Sequence, residues 1–288
     1  MNKQWKLTAG AAALAMTFGA QAGTIDLFTT QQLLVKDYVD GGWNATDSIY
    51  SQVGSLADAT ILGGYRDLVV SNLSGGVDKV AGSSINVTGG QLYFSTDTSA
   101  TGQGQIQWDG DDSGSGVFDI NYTGLGGIDL TMGGALSAFE LTTIFSDQGW
   151  VFEVTMYTDA SNWTTVSLDA SSVGPGGTYG SPHVSYIPFS AFTTPALCGT
   201  YGAAPGVNAI TCGGTGADAT KLGALVATLN VGDPLAPDGT KSAPQDRTIA
   251  VDLQLDSVRT VPEPGVLALM GMGLMAAGFA SRRRKSQA

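Results

Sequence analysis

Short stretches in which hydrophobic and polar residues alternate occur along most of the chain. The stretches at 151–157 (VFEVTMY) and 249–255 (IAVDLQL) have the period of two that is typical of half-buried antiparallel strands. Gly, Asn, Asp and Ser separate these stretches and favour turns, whereas helical patterns are scarce. We predict strands at residues 59–70, 84–88, 91–95, 104–108, 117–122, 127–132, 138–145, 150–157, 163–168, 184–189, 221–229 and 248–258.

About twelve strands, with turn signals every ~8–15 residues, predict an all-β domain over residues 23–258. The expected architecture is an antiparallel, jelly-roll-like β-sandwich, because an immunoglobulin-type sandwich has fewer strands. A right-handed parallel β-solenoid is the alternative, since the chain contains 41 glycines. We find no fixed repeat period, which a solenoid requires, so the sandwich is favoured.

The N-terminus has the pattern of a secretory signal peptide over residues 1–22. Lys3 and Lys6 precede an apolar run at 7–18, and Ala20 and Ala22 are the small residues that a signal peptidase requires. Cleavage between Ala22 and Gly23 is therefore predicted. A permanent N-terminal anchor is the alternative, but the run is short for a membrane span.

Three features follow one another at the C-terminus. Residues 259–264 form a linker that ends in VPEP, whose two prolines keep the backbone extended and outside regular structure. The segment 265–281 contains an apolar run, 265–280, that would reach about 24 Å as a helix, slightly less than the hydrocarbon core of a bilayer. The basic segment 282–288 would stay on the cytoplasmic side. A buried core helix is the alternative, but such a helix seldom precedes four consecutive cations.

This order of features resembles the PEP-CTERM sorting domain of exported proteins in Gram-negative bacteria, over residues 261–285. The resemblance implies that an exosortase recognises Pro262, Glu263 and Pro264, and that 265–280 spans the inner membrane. It also implies that the stop-transfer cluster consists of Arg282, Arg283, Arg284 and Lys285. Because hosts of this family commonly make exopolysaccharide, the expected location is the inner membrane first and then the cell surface or the extracellular matrix.

The charge of the predicted mature domain restricts its partners. Residues 23–260 contain seven Lys and Arg against 24 Asp and Glu, a net charge of about −17. Nucleic acid and anionic membrane surfaces are therefore excluded as electrostatic partners. Divalent cations are the class of partner that this charge favours.

Cys198 and Cys212 are the only cysteines of the chain. They enclose a Gly-rich and Pro-containing segment, and an exported protein folds in an oxidising compartment. A disulfide that closes a loop of about 15 residues is predicted, worth roughly 3 kcal/mol. A redox-active or metal-binding pair is disfavoured, because the CxxC spacing and neighbouring histidines are missing.

The segment WDGDDSGSG at 108–116 is the candidate metal site. Asp109, Asp111 and Asp112 alternate with small residues that let the backbone wrap an ion, and closely spaced carboxylates favour Ca²⁺ in a structural role. The segment is not an EF-hand, because its twelfth position is Ile120. A solvated hairpin turn between strands at 104–108 and 117–122 is the alternative.

Two further features allow both a functional and a structural interpretation. Gly63 and Gly64 predict a bulge beside Arg66, which is either a binding-site arginine or, as we favour, an arginine packed against an acid. Tryptophans provide the platforms on which sugar rings stack, although they belong more often to a sandwich core. The candidates are Trp43, Trp108, Trp150 and Trp163.

The sequence does not favour an enzyme. His183 is the only histidine, and Glu140 and Glu153 are the only glutamates between residues 23 and 260. No GxSxG motif is present, and the only two glutamates that could act as a glycosidase pair both lie in strand-like runs, although Asp could substitute for Glu. We expect a structural or adhesive protein associated with exopolysaccharide, with no cofactor other than structural Ca²⁺. A secreted carbohydrate-active hydrolase or a lectin-like module is the alternative.

Overall fold

A computed structural model describes residues 23–39, 49–74, 81–112, 119–170, 182–204, 206–231 and 250–262. The predicted signal peptide, including Ala20 and Ala22, lies outside the described residues. So do Glu263, Pro264, the predicted membrane helix and the basic cluster Arg282 to Lys285. Within the described ranges, no helix is both long enough and apolar enough to cross a membrane.

The described residues form fifteen strands, one short α-helix, α1 (Ser190–Thr193), and two 3-10 turns at Leu62–Gly64 and Pro195–Leu197. The strands are β1 (Gly23–Asp26), β2 (Gln32–Asp37), β3 (Ile49–Gly54), β4 (Tyr65–Ser74), β5 (Ser83–Thr88), β6 (Gln91–Thr96), β7 (Thr101–Trp108), β8 (Ala138–Ser146), β9 (Trp150–Tyr157), β10 (Trp163–Ala170), β11 (His183–Pro188), β12 (Thr200–Ala204), β13 (Val207–Gly213), β14 (Ala224–Leu229) and β15 (Asp252–Val261).

These strands form two sheets that pack as a β-sandwich. The first sheet has the order β11-β8-β15-β6-β5-β2, with β1 also paired to β15, and the second has the order β12-β13-β10-β9-β14-β7-β4-β3. Every strand pair among the described residues is antiparallel. The prediction of an all-β antiparallel sandwich is confirmed, and the parallel solenoid is not the fold.

Inward-facing side chains of both sheets form one hydrophobic core. Alternate positions along each strand point inward, which is why the period of two in the sequence predicted most of the strands. Along β4, Leu68 and Val70 join the core, so the odd-numbered positions of this strand lie on the outer face of the second sheet. Large core residues are Phe94, Phe139 and Leu255 from the first sheet and Ile106, Trp108, Phe152 and Leu225 from the second.

Two predicted strands, at 117–122 and 127–132, are wrong over their described residues. Residues 119–137 form turns, with a single bridge between Ile128 and Leu222. Glycines with positive φ interrupt any strand, and the Asp129 carboxylate accepts hydrogen bonds from the N–H groups of Thr131 and Gly133 within a turn. The Asp-rich segment therefore begins a long connection between the sheets and is not the turn of a hairpin.

The last strand continues beyond the predicted domain boundary at residue 258. Arg259, Thr260 and Val261 pair with Glu140, Phe139 and Ala138 of β8. Residues 259–261, predicted as linker, therefore belong to the first sheet. At the other end of the chain, Gly23 starts β1 and pairs with Thr260.

The predicted disulfide is present. Cys198 and Cys212 are joined with an S–S distance of 2.06 Å, and their Cα atoms lie 5.5 Å apart. Because Cys212 belongs to β13 and Cys198 directly precedes β12, the bond fastens the hairpin at the edge of the second sheet.

Candidate metal centre

Asp67 is a buried carboxylate on the outer face of the second sheet. It precedes Leu68 of the core in β4, so it points away from the core. The neighbouring strands place Gln52 of β3 and Gln107 of β7 in register with it, one on each side. An acid thus lies between two amide side chains in the middle of three paired strands.

Asp109 and Asp112 come from the segment that directly follows β7. Since Trp108 points into the core, the next residue, Asp109, points to the same outer face as Asp67. Gly110 has a φ of 93°, which turns the chain so that Asp112 returns toward the sheet. The pairing of β4 with β7 and the turn at Gly110 therefore bring Asp109 and Asp112 next to Asp67, about 40 residues earlier in the chain.

The returning chain of the β7–β8 connection packs over Asp109. The N–H of Asn121 donates a hydrogen bond of 2.7 Å to Oδ2 of Asp109. A Cβ atom added to Gly124 would lie only 1.7 Å from the backbone oxygen of Asp109, so only glycine permits this approach. This packing contributes to the burial of the carboxylates.

Asp67, Asp109 and Asp112 form one cluster, which we call the aspartate trio. One carboxylate oxygen of each lies within 4.8 Å of the others. Asp67 and Asp109 are 0% exposed and Asp112 is 4% exposed. Three carboxylates enclosed at this distance repel one another strongly unless protons or a cation compensate them.

The electrostatics of the trio reflect this repulsion. Burial, followed by the charges of Asp109 and Asp112, raises the pKa of Asp67 to about 9. Burial, followed by the charges of Asp109, Asp111 and Asp119, raises the pKa of Asp112 to about 7. Burial also raises the pKa of Asp109. Without a cation the site therefore holds protons at neutral pH.

Most oxygens of the trio lack a donor of hydrogen-bonding geometry. Among the described residues, both oxygens of Asp67, both oxygens of Asp112 and Oδ1 of Asp109 are buried and accept no hydrogen bond from a neighbouring N–H or hydroxyl group, so in the metal-free site only protons shared among the three carboxyl groups can pair them. The Gln52 side chain lies close enough to Asp67 to oppose the rise of its pKa, but only weakly. Oε1 of Gln107 is also buried without a partner, whereas its Nε2 donates to Gln105 at 2.7 Å. Buried polar oxygens are normally paired, so these oxygens require either shared protons or a bound cation.

The structure brings together two of the three predicted metal ligands, and the third member of the cluster is Asp67, which was not predicted. Asp109 and Asp112 belong to the trio, whereas Asp111 between them is exposed. Asp67 was missed as a candidate ligand, because it lies far from the Asp-rich segment in the sequence. A carboxylate directly before the apolar run Leu68-Val69-Val70 was the available signal.

Arg66, beside Asp67, has a structural role on the opposite face of the sheet. It is 0% exposed, and its Nη1 lies 2.9 and 3.0 Å from the two carboxylate oxygens of Asp26. Its Nε donates to Gln32, and the indole N–H of Trp108 donates to Asp26 at 2.9 Å. The arginine is thus packed against an acid, which was the favoured interpretation.

Two of the four candidate tryptophans, Trp108 and Trp150, do not offer the expected sugar platforms. Trp108 and Trp150 are 1% and 0% exposed, so both belong to the core, and Trp163 is half-buried. Trp43 lies outside the described residues. Among the described tryptophans, only Trp163 is partly exposed and can therefore contact a ligand.

Comparison with protein families identifies the C-terminal tail. The family model of the PEP-CTERM protein-sorting motif matches residues 260–285. The predicted resemblance is confirmed, and the match begins within β15. The motif implies an exported protein that an exosortase processes and that is sorted to the cell envelope.

Comparison with solved structures gives only distant similarities. The structure of PfGH50B is similar over 63% of this chain and 22% of its own, at 8% identity and a TM-score of 0.34. The structure of an exo-beta-agarase is similar over 82% of this chain and 25% of its own, at 13% identity and a TM-score of 0.32. The chain thus spans a quarter or less of either protein, and such TM-scores decide neither fold nor activity. None of the curated proteins matches the chain.

Proposed function

We propose that the protein is a structural or adhesive component of the cell envelope or extracellular matrix, associated with exopolysaccharide and without catalytic turnover. The observation that carries the proposal is the sorting motif, which begins at residue 260 within the last strand of the sandwich. The inner membrane holds the chain through 265–281 until an exosortase acts at the PEP sequence. Because β15 leads directly into the motif, the domain stays close to the membrane until then.

The placement of the glutamates supports a role without turnover. Phe139 and Leu141 belong to the core, so Glu140 lies on the outer face of the first sheet. By the same alternation, Glu153 lies on the outer face of the second sheet, between Phe152 and Val154. Two carboxylates on opposite faces of a sandwich cannot flank one glycosidic bond, as both glycosidase mechanisms require.

The histidine gives no support to nucleophilic catalysis. His183 is exposed at the start of β11, at the edge of the first sheet, and is paired through its backbone with Thr143. A Ser-His-Asp arrangement needs a hydrogen-bonded acid that orients the imidazole. Among the residues that the structure describes, no hydrogen bond or ion pair joins His183 to an acid.

An open groove beside the aspartate trio is the best surface for a polysaccharide chain. It has a volume of about 740 Å³ and lies between the β7–β8 connection and the β9–β10 turn. Tyr122 is 37% exposed in the groove, and its ring is held edge-on by Tyr157 at 5.0 Å between centroids. An exposed ring of fixed orientation next to carboxylates and amides suits the apolar face and the hydroxyl groups of a sugar. The polar residues of the groove include Asp111, Asp119, Asn121 and Asp159.

The test is co-sedimentation of the purified protein with exopolysaccharide from the host, together with an assay for released reducing ends. We expect binding without release. Tyr122→Ala should weaken binding by about 2- to 13-fold, since an aromatic contact contributes ~0.5–1.5 kcal/mol. Tyr201→Ala is the matched control, because Tyr201 is 38% exposed but lies in β12. Steady release of reducing ends would refute the absence of turnover, and failure to bind any host polymer would refute the adhesive role.

A further inference from the structure

We propose that Asp67, Asp109 and Asp112 bind one Ca²⁺ ion, which fastens the β7–β8 connection to the outer face of the second sheet. The ion is distinct from any in an exposed Asp-rich loop, because Asp67 belongs to the middle of a strand and Asp111 takes no part. The proposal goes beyond the structural and adhesive role, and only the choice among cations draws on the exported location.

The spacing of the trio fits one ion of the size of Ca²⁺. Oxygen ligands bind Ca²⁺ at about 2.3–2.6 Å, so two ligands on opposite sides of one ion lie at most about 4.6–5.2 Å apart. The ligand oxygens of the trio all lie within 4.8 Å of one another. An ion at the centre of the three oxygens therefore lies at most about 2.8 Å from each, so side-chain shifts of a few tenths of an ångström bring all three into bonding range.

The number of available oxygens also fits. One oxygen of each aspartate lies within 4.8 Å of the others, and the second oxygens of Asp67 and Asp112, like Oε1 of the in-register Gln107, are buried without a donor among the described residues. Ca²⁺ takes about 6–8 oxygen ligands in a flexible arrangement, including bidentate carboxylates and amide oxygens. Mg²⁺ requires nearly ideal octahedral geometry and retains several waters, so an enclosed site of carboxylates suits it less.

The ligand chemistry argues against transition metals. Structural Zn²⁺ sites are built from Cys and His, whereas the trio offers only oxygen. Within the described ranges, His183 is at the edge of the first sheet, and both cysteines are in the disulfide. A hard divalent cation is therefore the matching class, and Ca²⁺ is bound by extracellular modules at about 10⁻⁴–10⁻³ M.

The ion would fix the position of residues around the groove. Asn121 lines the groove and donates its backbone N–H to Asp109, a ligand of the ion. Asp112 lies in the connection itself, whereas Asp67 lies in the sheet. An ion that binds both thus joins the connection to the sandwich, and its removal should loosen the groove.

The experiment is isothermal titration of the purified, chelator-treated protein with CaCl₂ and with MgCl₂, together with thermal unfolding. We expect one Ca²⁺ per chain and weaker binding of Mg²⁺. Asp67→Asn should weaken Ca²⁺ binding at least about tenfold, because it removes one of three anionic ligands without changing the size of the side chain. Asp111→Asn is the matched control, from the same Asp-rich segment, and should bind Ca²⁺ as the wild type does.

Two results would overturn the proposal. The first is a wild-type protein that neither binds Ca²⁺ nor gains thermal stability at about 10 mM, a concentration above the range of extracellular sites. The second is loss of binding in Asp111→Asn with full binding in Asp67→Asn, which would place the ion in the exposed loop. If Asp67→Asn does not fold, Asp112→Asn gives the same readout from the connection. Neither result decides whether the protein is exported or whether it binds polymer, because both are measured separately.

Discussion

The metal-free protein should lose stability as the pH rises through neutrality, and Asp67 should be a main cause. The pKa of Asp67 is about 9 in the folded chain, because it is buried beside Asp109 and Asp112. In the unfolded chain an aspartate has a pKa of about 3.9. A group whose folded pKa is raised stabilises the fold fully below pH ~4, and this stability is lost as the pH rises toward the folded pKa.

The magnitude follows from the proton that the folded state retains. Between pH 5.5 and 7.5, the folded chain keeps one proton at Asp67 that the unfolded chain has released. Each pH unit then costs about 1.4 kcal/mol, so the two units cost about 2.7 kcal/mol. For a domain of this size, that change lowers Tm by about 5–11 °C.

The assay compares the wild type with Asp67→Asn by thermal and urea unfolding in a chelating buffer from pH 5.5 to 7.5. The variant should lose less stability with pH than the wild type, by about 1.4 kcal/mol per pH unit. The difference between the two proteins isolates Asp67 from other buried acids, such as Asp26, whose pKa burial also raises. Ca²⁺ at about 10–100 times the wild-type Kd should restore about 1.4–2.7 kcal/mol to the wild type, and at least about 1 kcal/mol less to Asp67→Asn.

A wild type whose metal-free stability is constant or rises between pH 5.5 and 7.5, in parallel with Asp67→Asn, would refute this reasoning. It would mean that the carboxylates of the trio are hydrated or further apart than the 4.8 Å of the structure. The ionic strength should be held constant across the series, because repulsion between carboxylates is reduced by salt wherever water reaches them.

Two further predictions concern the framework that holds the site. Asp26→Ala leaves the guanidinium of Arg66 buried without its carboxylate and should cost about 3–5 kcal/mol in urea unfolding. Lys36→Ala breaks the exposed pair with Asp97 and should cost under about 1 kcal/mol, so equal costs would contradict the burial argument. Replacing Cys198 and Cys212 together by Ser should lower the unfolding free energy by about 3 kcal/mol, and an unchanged Tm would show that the disulfide adds no stability.

Local patterns in the sequence predicted most of the sandwich. Strands with a period of two, such as β9 and β15, place every second residue in the core, and this arrangement depends only on neighbouring residues. The stretches at 117–122 and 127–132 contain similar residues but form turns over their described parts. At 127–132, the Asp129 carboxylate stabilises a turn and the flanking glycines have positive φ. At 119–122, the N–H of Asn121 donates to the Asp109 carboxylate, and its C=O accepts from Gly124 within a turn.

The candidate site could be predicted only in part, because it depends on the order of the strands. Asp109 and Asp112 were visible as neighbours in one Asp-rich segment. Asp67 joins them only because β4 pairs with β7, a pairing that no local pattern encodes. The sorting tail, by contrast, is a linear signal whose parts follow one another in the chain, and it was therefore recognisable from the sequence alone.

The most direct test of the account is the intact mass of the protein recovered from host cells and medium, for the wild type and for Glu263→Ala. The account predicts a wild-type species that starts at Gly23 and lacks the residues after the VPEP sequence. The variant should keep its tail and remain in the membrane, because Glu263 is part of the matched sorting motif. A full tail in both proteins would contradict the account, since 265–281 would then be a permanent anchor and the chain would not be delivered to the matrix.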